Sequence, residues 1–484
     1  MAERVGKPLD QRVVERLTGG DLMQWQADVG PVPHHVGGLL VLATAAPLAP
    51  DELAAVLAVR LARLPQLRRR PVKPALGGGG WYWLDDDQDP LQHLTMTTVP
   101  ETGTHALLEA AVRAVTTPAP PGRSPWTATV LTGPDGTAAG VVLVLHHVLA
   151  DGVSGLALLG ALTDAADRPG TGTGPERIGA TRPAGRPVNY ADLVRDTWHR
   201  RAETLRRLLN PRHARRALLD GRTELGGGTP APRSVLNRLT GPRRELHATE
   251  VDEAAVRAAA HRLGASVNDL VLVAVVEALR AAAADAGEEL HHLVVSVPVA
   301  ARTTIRRTKD AADAVEAAGG RPRNAVGVMT IPVPATGVLT ERVRTVTGHR
   351  RAQLAGVHGQ SLPLVLLAFR VVRTLHLVRW FLDRQRLVNT FLSAVPPTPG
   401  PISVAGTPVT AVVPLVINQG NTTAAFATTR HAGRLAIAVT TDPDTGPDAG
   451  LLLERLSRTL TELTALPATD ESLDIGGPSR RRTG

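Results

Sequence analysis

Apolar and polar positions in the first half of the chain alternate between strand-like and helix-like spacing. Residues 36–42 form a run of valine, leucine and glycine that reads as a buried strand. From Glu52 the apolar residues recur at helical spacing as far as Leu64, with Asp51 as N-cap and Pro65 as the stop. A glycine turn at 77–80 leads into a strand at 81–84, and a second helix is predicted at 105–115. Strands at 127–131 and 140–146 follow, joined through Gly133-Pro134-Asp135-Gly136, and then a third helix at about 153–166.

Beyond residue 168 the texture changes. Glycine-rich stretches at 170–174 and 226–228 bracket an arginine-rich helix at about 190–219. The second half then resumes the mixed pattern, with helices at 252–263 and 267–284 and strands at 293–299 and 325–333. Helices at about 340–355 and 362–382 come next, followed by strands at 409–413, 423–428 and 435–440 and a terminal helix at 451–465. This divides the chain into an N-terminal domain (1–185), a helical crossover linker (186–232), a C-terminal domain (233–470) and a disordered tail (471–484). Two mixed α/β halves of similar size are the expected architecture.

Composition narrows the chemistry. With 484 residues, 43% of them hydrophobic, the chain can bury more than one core. The absence of cysteine excludes disulfides, a thiol nucleophile and thiolate metal sites. Only Lys7, Lys73 and Lys309 are lysine among 54 basic residues, which reads as the codon usage of a GC-rich genome. The net charge of +9 favours anionic partners in general and selects none. Twelve aromatic residues (six Trp, two Tyr, four Phe) are too few for stacked nucleic-acid platforms, so no nucleic-acid partner is expected. The longest apolar stretch, 362–382, is interrupted by Arg370, Arg373, His376 and Arg379, and no run is long enough to span a bilayer. That stretch reads as a core helix in preference to one resting on a membrane. The chain therefore reads as cytoplasmic, with any membrane contact peripheral to the inner membrane.

The sharpest feature is Leu145-His146-His147-Val148-Leu149-Ala150-Asp151-Gly152. An apolar strand delivers two histidines into a turn, and an aspartate and a glycine follow before a helix. An imidazole held at a strand end accepts a hydroxyl proton at neutral pH and later returns it. Asp151 can anchor the turn, and Gly152 allows a backbone angle closed to other residues. Adjacent residues on a strand point to opposite faces, so His146 and His147 cannot easily ligate one ion, and no metal is expected.

HHxxxDG resembles the motif of the CoA-dependent acyltransferases, which include chloramphenicol acetyltransferase, plant acyltransferases and peptide-synthetase condensation domains. Asp21 with Trp25, then His35-Val36-Gly37-Gly38-Leu39, resembles the opening of the bacterial wax ester synthase/diacylglycerol acyltransferase family. Leu64-Pro65-Gln66-Leu67-Arg68, Asp89-Pro90 with His93, Leu236-Asn237-Arg238, Asn268-Asp269, Val297-Pro298-Val299 and Gly433-Arg434-Leu435 continue the likeness in order. Where that family has Pro-Leu-Trp this chain has Ser124-Pro125-Trp126, and where it has Ser-Asn-Val-Pro-Gly-Pro this chain has Ser393-Ala394-Val395-Pro396. The resemblance implies two chloramphenicol-acetyltransferase-like domains with a tunnel between them. It implies catalysis by His147 as general base, with His146, Asp151 and Gly152 shaping its loop. Acyl-CoA would be a cosubstrate rather than a cofactor, and a long-chain alcohol or diacylglycerol the acceptor. Trp126, Asn268, Asp269 and Ser393 fall where the family shapes its substrate channel.

Two other functions share the motif: an acyltransferase of specialised metabolism acting on a small natural product or a carrier-bound acyl group, and a catalytically degenerate protein that binds lipid surfaces. Among the remaining features, Asn268-Asp269 also reads as a helix cap. Asn418-Gln419-Gly420-Asn421 reads as an ordinary turn in preference to backbone near a cleft, and Asp85-Asp86-Asp87 as a solvated turn.

Overall fold

A computed structural model describes residues 14–43, 48–73, 80–86, 88–150, 155, 158–164, 194–199, 202–203, 206, 229–300, 326–356, 369, 372–373, 375–398 and 400–466. The linker helix expected at 190–219 lies largely outside these residues, and the tail 471–484 wholly so. In chain order the first half carries β1 (Val14–Arg16), α1 (Gly19–Gln26), β2 (His35–Leu42), α2 (Pro50–Ala62), β3 (Arg69–Val72), β4 (Tyr82–Asp85), β5 (Leu94–Thr98), α3 (Thr104–Thr116), β6 (Trp126–Thr132) and β7 (Ala138–His146). The second half carries β8 (Glu245–Asp252), α4 (Glu253–Arg262), α5 (Val267–Asp285), β9 (His292–Ala300), β10 (Val326–Pro334), α6 (Leu339–Gly356), α7 (Val378–Arg384), β11 (Thr390–Ala394), β12 (Ser403–Val404), β13 (Thr407–Val416), β14 (Ala424–His431), β15 (Arg434–Thr441) and α8 (Ala449–Ala465).

These elements build two six-stranded sheets, ordered β12-β13-β2-β7-β6-β5 and β10-β9-β11-β14-β15-β8, with a three-stranded β1-β4-β3 sheet beside the first. The first sheet is not made from the first half alone. After β11 the chain leaves the second sheet, lays β12 and β13 onto β2, and returns as β14. The residues 403–416, which the pattern reading assigned to the C-terminal domain, thus complete the sheet of the N-terminal half. The turn between β12 and β13 is pinned by Asp164, which accepts from Ser403 (2.6 Å) and the Gly406 amide (2.9 Å) while pairing with Arg60 of α2 (2.8 Å).

β7 shows why its sequence has no polar alternation. All nine residues are buried. Val141, Leu143 and Leu145 pack with α2, whereas Ala139, Val142 and Val144 pack on the opposite face with Leu107, Leu108 and Val115 of α3. A strand covered on both faces reads as a continuous apolar run. The cluster on the α3 face also takes in Leu246 of β8 and Ala438 of β15, so one core joins the two sheets.

Several expectations need correction. The N-cap of α2 is Ala49, with Asp51 inside the first turn. A continuous helix over 362–382 is not present: His376 takes φ +58°, the His376 amide bonds to Arg373 and that of Leu377 to Val372, and α7 starts afresh at Val378. This is a left-handed helix stop, which an apolar count cannot see. Asp86 is not solvated; it is buried and accepts from the Ser124 amide at 2.6 Å. Among the described residues no helix is long and apolar enough to cross a membrane.

Candidate active site

Three strand ends meet at one end of the first sheet. The antiparallel register of β2 and β7 sets His35 opposite His146. On the other side of β2, β13 ends with Val416 opposite Val36, so the loop 418–421 returns to the same point before the chain crosses to the second sheet. The pairs His34-His35 and His146-His147, each unremarked by its spacing to the other in sequence, become neighbours. Gly37 permits this pairing at close range, because a Cβ there would stand 2.2 Å from the Leu143 carbonyl oxygen of β7.

The four imidazoles are differently held. His35, buried on the α3 face, donates through Nδ1 to the Val115 carbonyl at 3.0 Å, the last buried turn of α3. Its pKa is pushed down to about 4, chiefly by burial and then by His146. His146 is also buried; its Nδ1 accepts the Val148 amide at 3.0 Å, so its proton sits on Nε2, which faces Asp28 Oδ2 at 3.4 Å. Its ring packs on Trp25 with centroids 4.8 Å apart. Burial would raise the Asp28 carboxyl, but His146 and the His34 amide outweigh it and hold the pKa below the ordinary value. His34 lies between two glutamines, with Nδ1 3.0 Å from Gln419 Oε1 and Nε2 2.8 Å from Gln24 Oε1. Burial, and then His147 and His146, push its pKa well below 6.5.

His147 stands just past the end of β7, half-buried. Its amide donates to the His34 carbonyl at 2.9 Å, and its ring stacks on that of His34, with centroids 5.0 Å apart and planes 12° from parallel. The two histidines of the motif therefore serve different neighbours, His146 the Asp28–Trp25 side and His147 the His34 ring. Asp151 and Gly152 lie outside the described residues.

The other residues singled out from sequence sit as follows. Trp126 is built into the core: its Nε1 donates to the Leu67 carbonyl at 2.8 Å and its ring stacks on buried His93 at 4.4 Å. Its segment still touches the site through backbone, since the His146 amide donates to the Pro125 carbonyl at 2.9 Å. Asp269 is fully buried, closes a capping box with Ser266 and binds Arg350 at 2.7 Å. Asn268 is exposed at the start of α5, and Ser393 is half-buried on β11, paired in register with Ala427.

Residue reasoning passed over Gln24, Asp28 and His34, and favoured an ordinary turn at 418–421 over backbone near a cleft. It does turn, through Gly420 at φ +62°, where a Cβ would meet the Leu382 carbonyl oxygen at 2.4 Å. Yet it is tightly built. Buried Arg244 donates to the Asn418 carbonyl (2.8 Å) and the Gly241 carbonyl (2.7 Å), and burial lowers its pKa to about 10 against the pull of Asp442. The Asn421 side chain accepts from the Gln385 amide and donates to the Gln385 backbone carbonyl, both at 2.8 Å. A second His-His pair at the mouth of an apolar strand was one advance sign.

The geometry defines a class first: a mixed α/β chain of two domains with the chloramphenicol-acetyltransferase-like fold. The wax ester synthase/diacylglycerol acyltransferase from Marinobacter aquaeolei VT8 superposes with a TM-score of 0.62 at 20% identity, covering 93% of this chain and 98% of that one. The first condensation domain of the calcium-dependent antibiotic synthetase, in complex with a substrate analogue, gives 0.60 at 19% identity, over 94% and 97%. A starter condensation domain of rhizomide synthetase in complex with C8-CoA gives 0.58 at 16% identity, over 94% and 96%.

The family follows from sequence. Residues 17–271 match the wax ester synthase/diacylglycerol acyltransferase catalytic domain and residues 324–464 the C-terminal domain of the same family, so the chain belongs to that family. A Mycobacterium tuberculosis H37Rv protein named a diacylglycerol O-acyltransferase is 26% identical over 256 residues, 52% of each chain. Another from the same strain is 29% identical over 230 residues, 45% of this chain and 44% of its own. The match thus spans about half the length of these relatives.

Proposed function

We propose that the protein transfers an acyl group from acyl-CoA to the hydroxyl of a long-chain alcohol or diacylglycerol, with His147 as general base. The observation that carries this is where the second histidine of the motif sits: half-buried, its ring stacked on that of His34 and its amide bonded to the His34 carbonyl. His147 stands at the strand exit, past the last residue of β7. In the proposed reaction His147 takes the proton of the acceptor hydroxyl as its oxygen attacks the thioester carbonyl carbon. The C–S bond then breaks, and the thiolate of CoA leaves with the proton held by His147. No covalent acyl-enzyme is required, which suits a chain without cysteine. Acyl-CoA is a cosubstrate, and the scheme needs no metal or bound organic cofactor. The names of the mycobacterial relatives and the C8-CoA in the rhizomide domain support this choice of acceptor and donor.

Peripheral contact with a lipid surface belongs to the same reading: Leu375, Trp380 and Phe381 are exposed beside Arg379 and Arg384. An acyltransferase of specialised metabolism is the second reading, motivated by the core role of Trp126 and the Ser393-Ala394-Val395 departure from the family pattern.

Assay of the full chain with palmitoyl-CoA and acetyl-CoA against hexadecanol, dioleoylglycerol and short or cyclic alcohols separates the two. Long-chain preference is expected, and preference for a small acceptor would transfer the assignment to the second reading. His147→Ala should lower kcat by about two to four orders of magnitude, the usual cost of removing a general base. Near-native turnover by that variant would remove His147 from the chemistry.

A further inference from the structure

We infer that His34 is a positioning residue for His147, and that Gln419, delivered from the second half of the chain, is what holds His34 in place. The inference rests on His147 as the base. Four observations converge on it: the stacked rings 5.0 Å apart, the His147 amide bonded to the His34 carbonyl, the two glutamines on the ring nitrogens of His34, and the rigid loop that carries one of them.

The hydrogen bonds fix the ring's tautomer. A neutral imidazole has one donor and one acceptor. The Gln419 amide nitrogen donates to the Val32 carbonyl at 3.3 Å, which turns its oxygen toward His34, so His34 donates through Nδ1. His34 Nε2 must then accept, and Gln24 meets it with its amide nitrogen after a half-turn of the amide, an exchange that leaves its shape unchanged. The titratable groups facing His34 are Asp28, which accepts its backbone amide at 3.0 Å, His146 and His147. Asp28 and Gln419 favour the protonated ring, but burial and the two histidines outweigh them.

An uncharged ring in this place suits the chemistry. When His147 captures the acceptor proton it becomes a cation. A second positive charge 5 Å away would weaken that capture by roughly two orders of magnitude at an effective dielectric of 20. A neutral face instead supports the new imidazolium and keeps water from its underside. Gln419 reaches the site only because β13 joins the first sheet and Arg244 fixes the loop that follows it, so the second half of the chain contributes to the ring that carries the proton.

The test combines kinetics with a substrate-free measurement on the full chain. Gln419→Leu should lower kcat with palmitoyl-CoA and hexadecanol by about tenfold while KM for the donor stays within about twofold. His34→Phe keeps a neutral stacked ring without ring nitrogens, so in that background Gln419→Leu should cost less than about twofold, as expected for residues acting as one unit. An equal loss in both backgrounds, or a loss confined to KM, would overturn the inference. Nitrogen-15 spectra of the histidine rings, assigned with the same variants, should show His34 as the Nδ1–H tautomer without titration from pH 5.5 to 8. The titration midpoint of His147 should fall in Gln419→Leu by about half a pH unit, because a loosened His34 no longer holds its neutral face against the imidazolium. A His34 that titrates near its ordinary value, or an unmoved His147, sinks the inference whatever the turnover. Spectra as expected in a protein that transfers no acyl group would sink the proposed function and leave the coupling of Gln419 to His147 standing.

Discussion

Replacing His35 with glutamine should remove a defined part of the protein's sensitivity to acid. His35 is 4% exposed, and its pKa is about 4 in the folded chain, against an ordinary value near 6.5 when unfolded. Between these values the unfolded state binds the extra proton. The stability contributed by the neutral ring is therefore complete above about 6.5 and is lost as pH falls toward 4. At about 1.36 kcal/mol per pKa unit the full effect is about 3 kcal/mol, of which about 2 kcal/mol is lost between pH 7 and pH 5. Glutamine keeps an amide donor for the Val115 carbonyl but has no proton to gain. The variant should thus be somewhat weaker at pH 7, yet lose about 2 kcal/mol less than the parent on acidification. His34 and His93, also held below the ordinary value, titrate in both proteins and cancel in the difference. Urea midpoints measured at intervals from pH 7.5 to 4.5 give the comparison. Parallel curves for the two proteins would refute the burial of a neutral ring at this position.

Gly37→Ala should cost about 1–3 kcal/mol and lower turnover together with stability, because β2 and β7 must separate to admit a methyl group that would lie 2.2 Å from the Leu143 oxygen. A variant with unchanged melting temperature and kcat would show that the pairing does not govern the histidines. Asp269→Ala removes its half of the capping box with Ser266 and leaves Arg350 without its partner, so the melting temperature should fall as expected for a loss of about 3 kcal/mol, while KM for acyl-CoA is unchanged in the protein that remains folded. Normal stability with a raised KM would make Asp269 a substrate ligand.

Elements with local signals were legible without coordinates. α3, α4, α5, α6 and α8 lie within a few residues of their predicted spans, because caps and apolar spacing are properties of neighbouring residues. The strands that escaped notice lack a clear alternation or length: β1 has three residues, β5 exposes most of its side chains, and β8 is half-buried along most of its eight residues. Asp86 misled for a related reason. A run of three acids looks solvated, and only the return of Ser124 across the fold supplies the amide that makes burial affordable.

The sequence by itself determined the family, the mixed α/β class and the strand that presents His146 and His147, since a short motif and a continuous apolar run are local facts. Tertiary structure alone decided what surrounds them. A strand carries no mark of its partner, so the register that sets His35 against His146 is written in the packing of two distant segments. The same holds for β13, whose passage into the first sheet brings Gln419 to His34 across 385 positions of sequence. Which imidazole is buried neutral, which is held by Asp28 and which stacks at the strand exit are questions of desolvation and mutual field, and those exist only once the chain has folded around them.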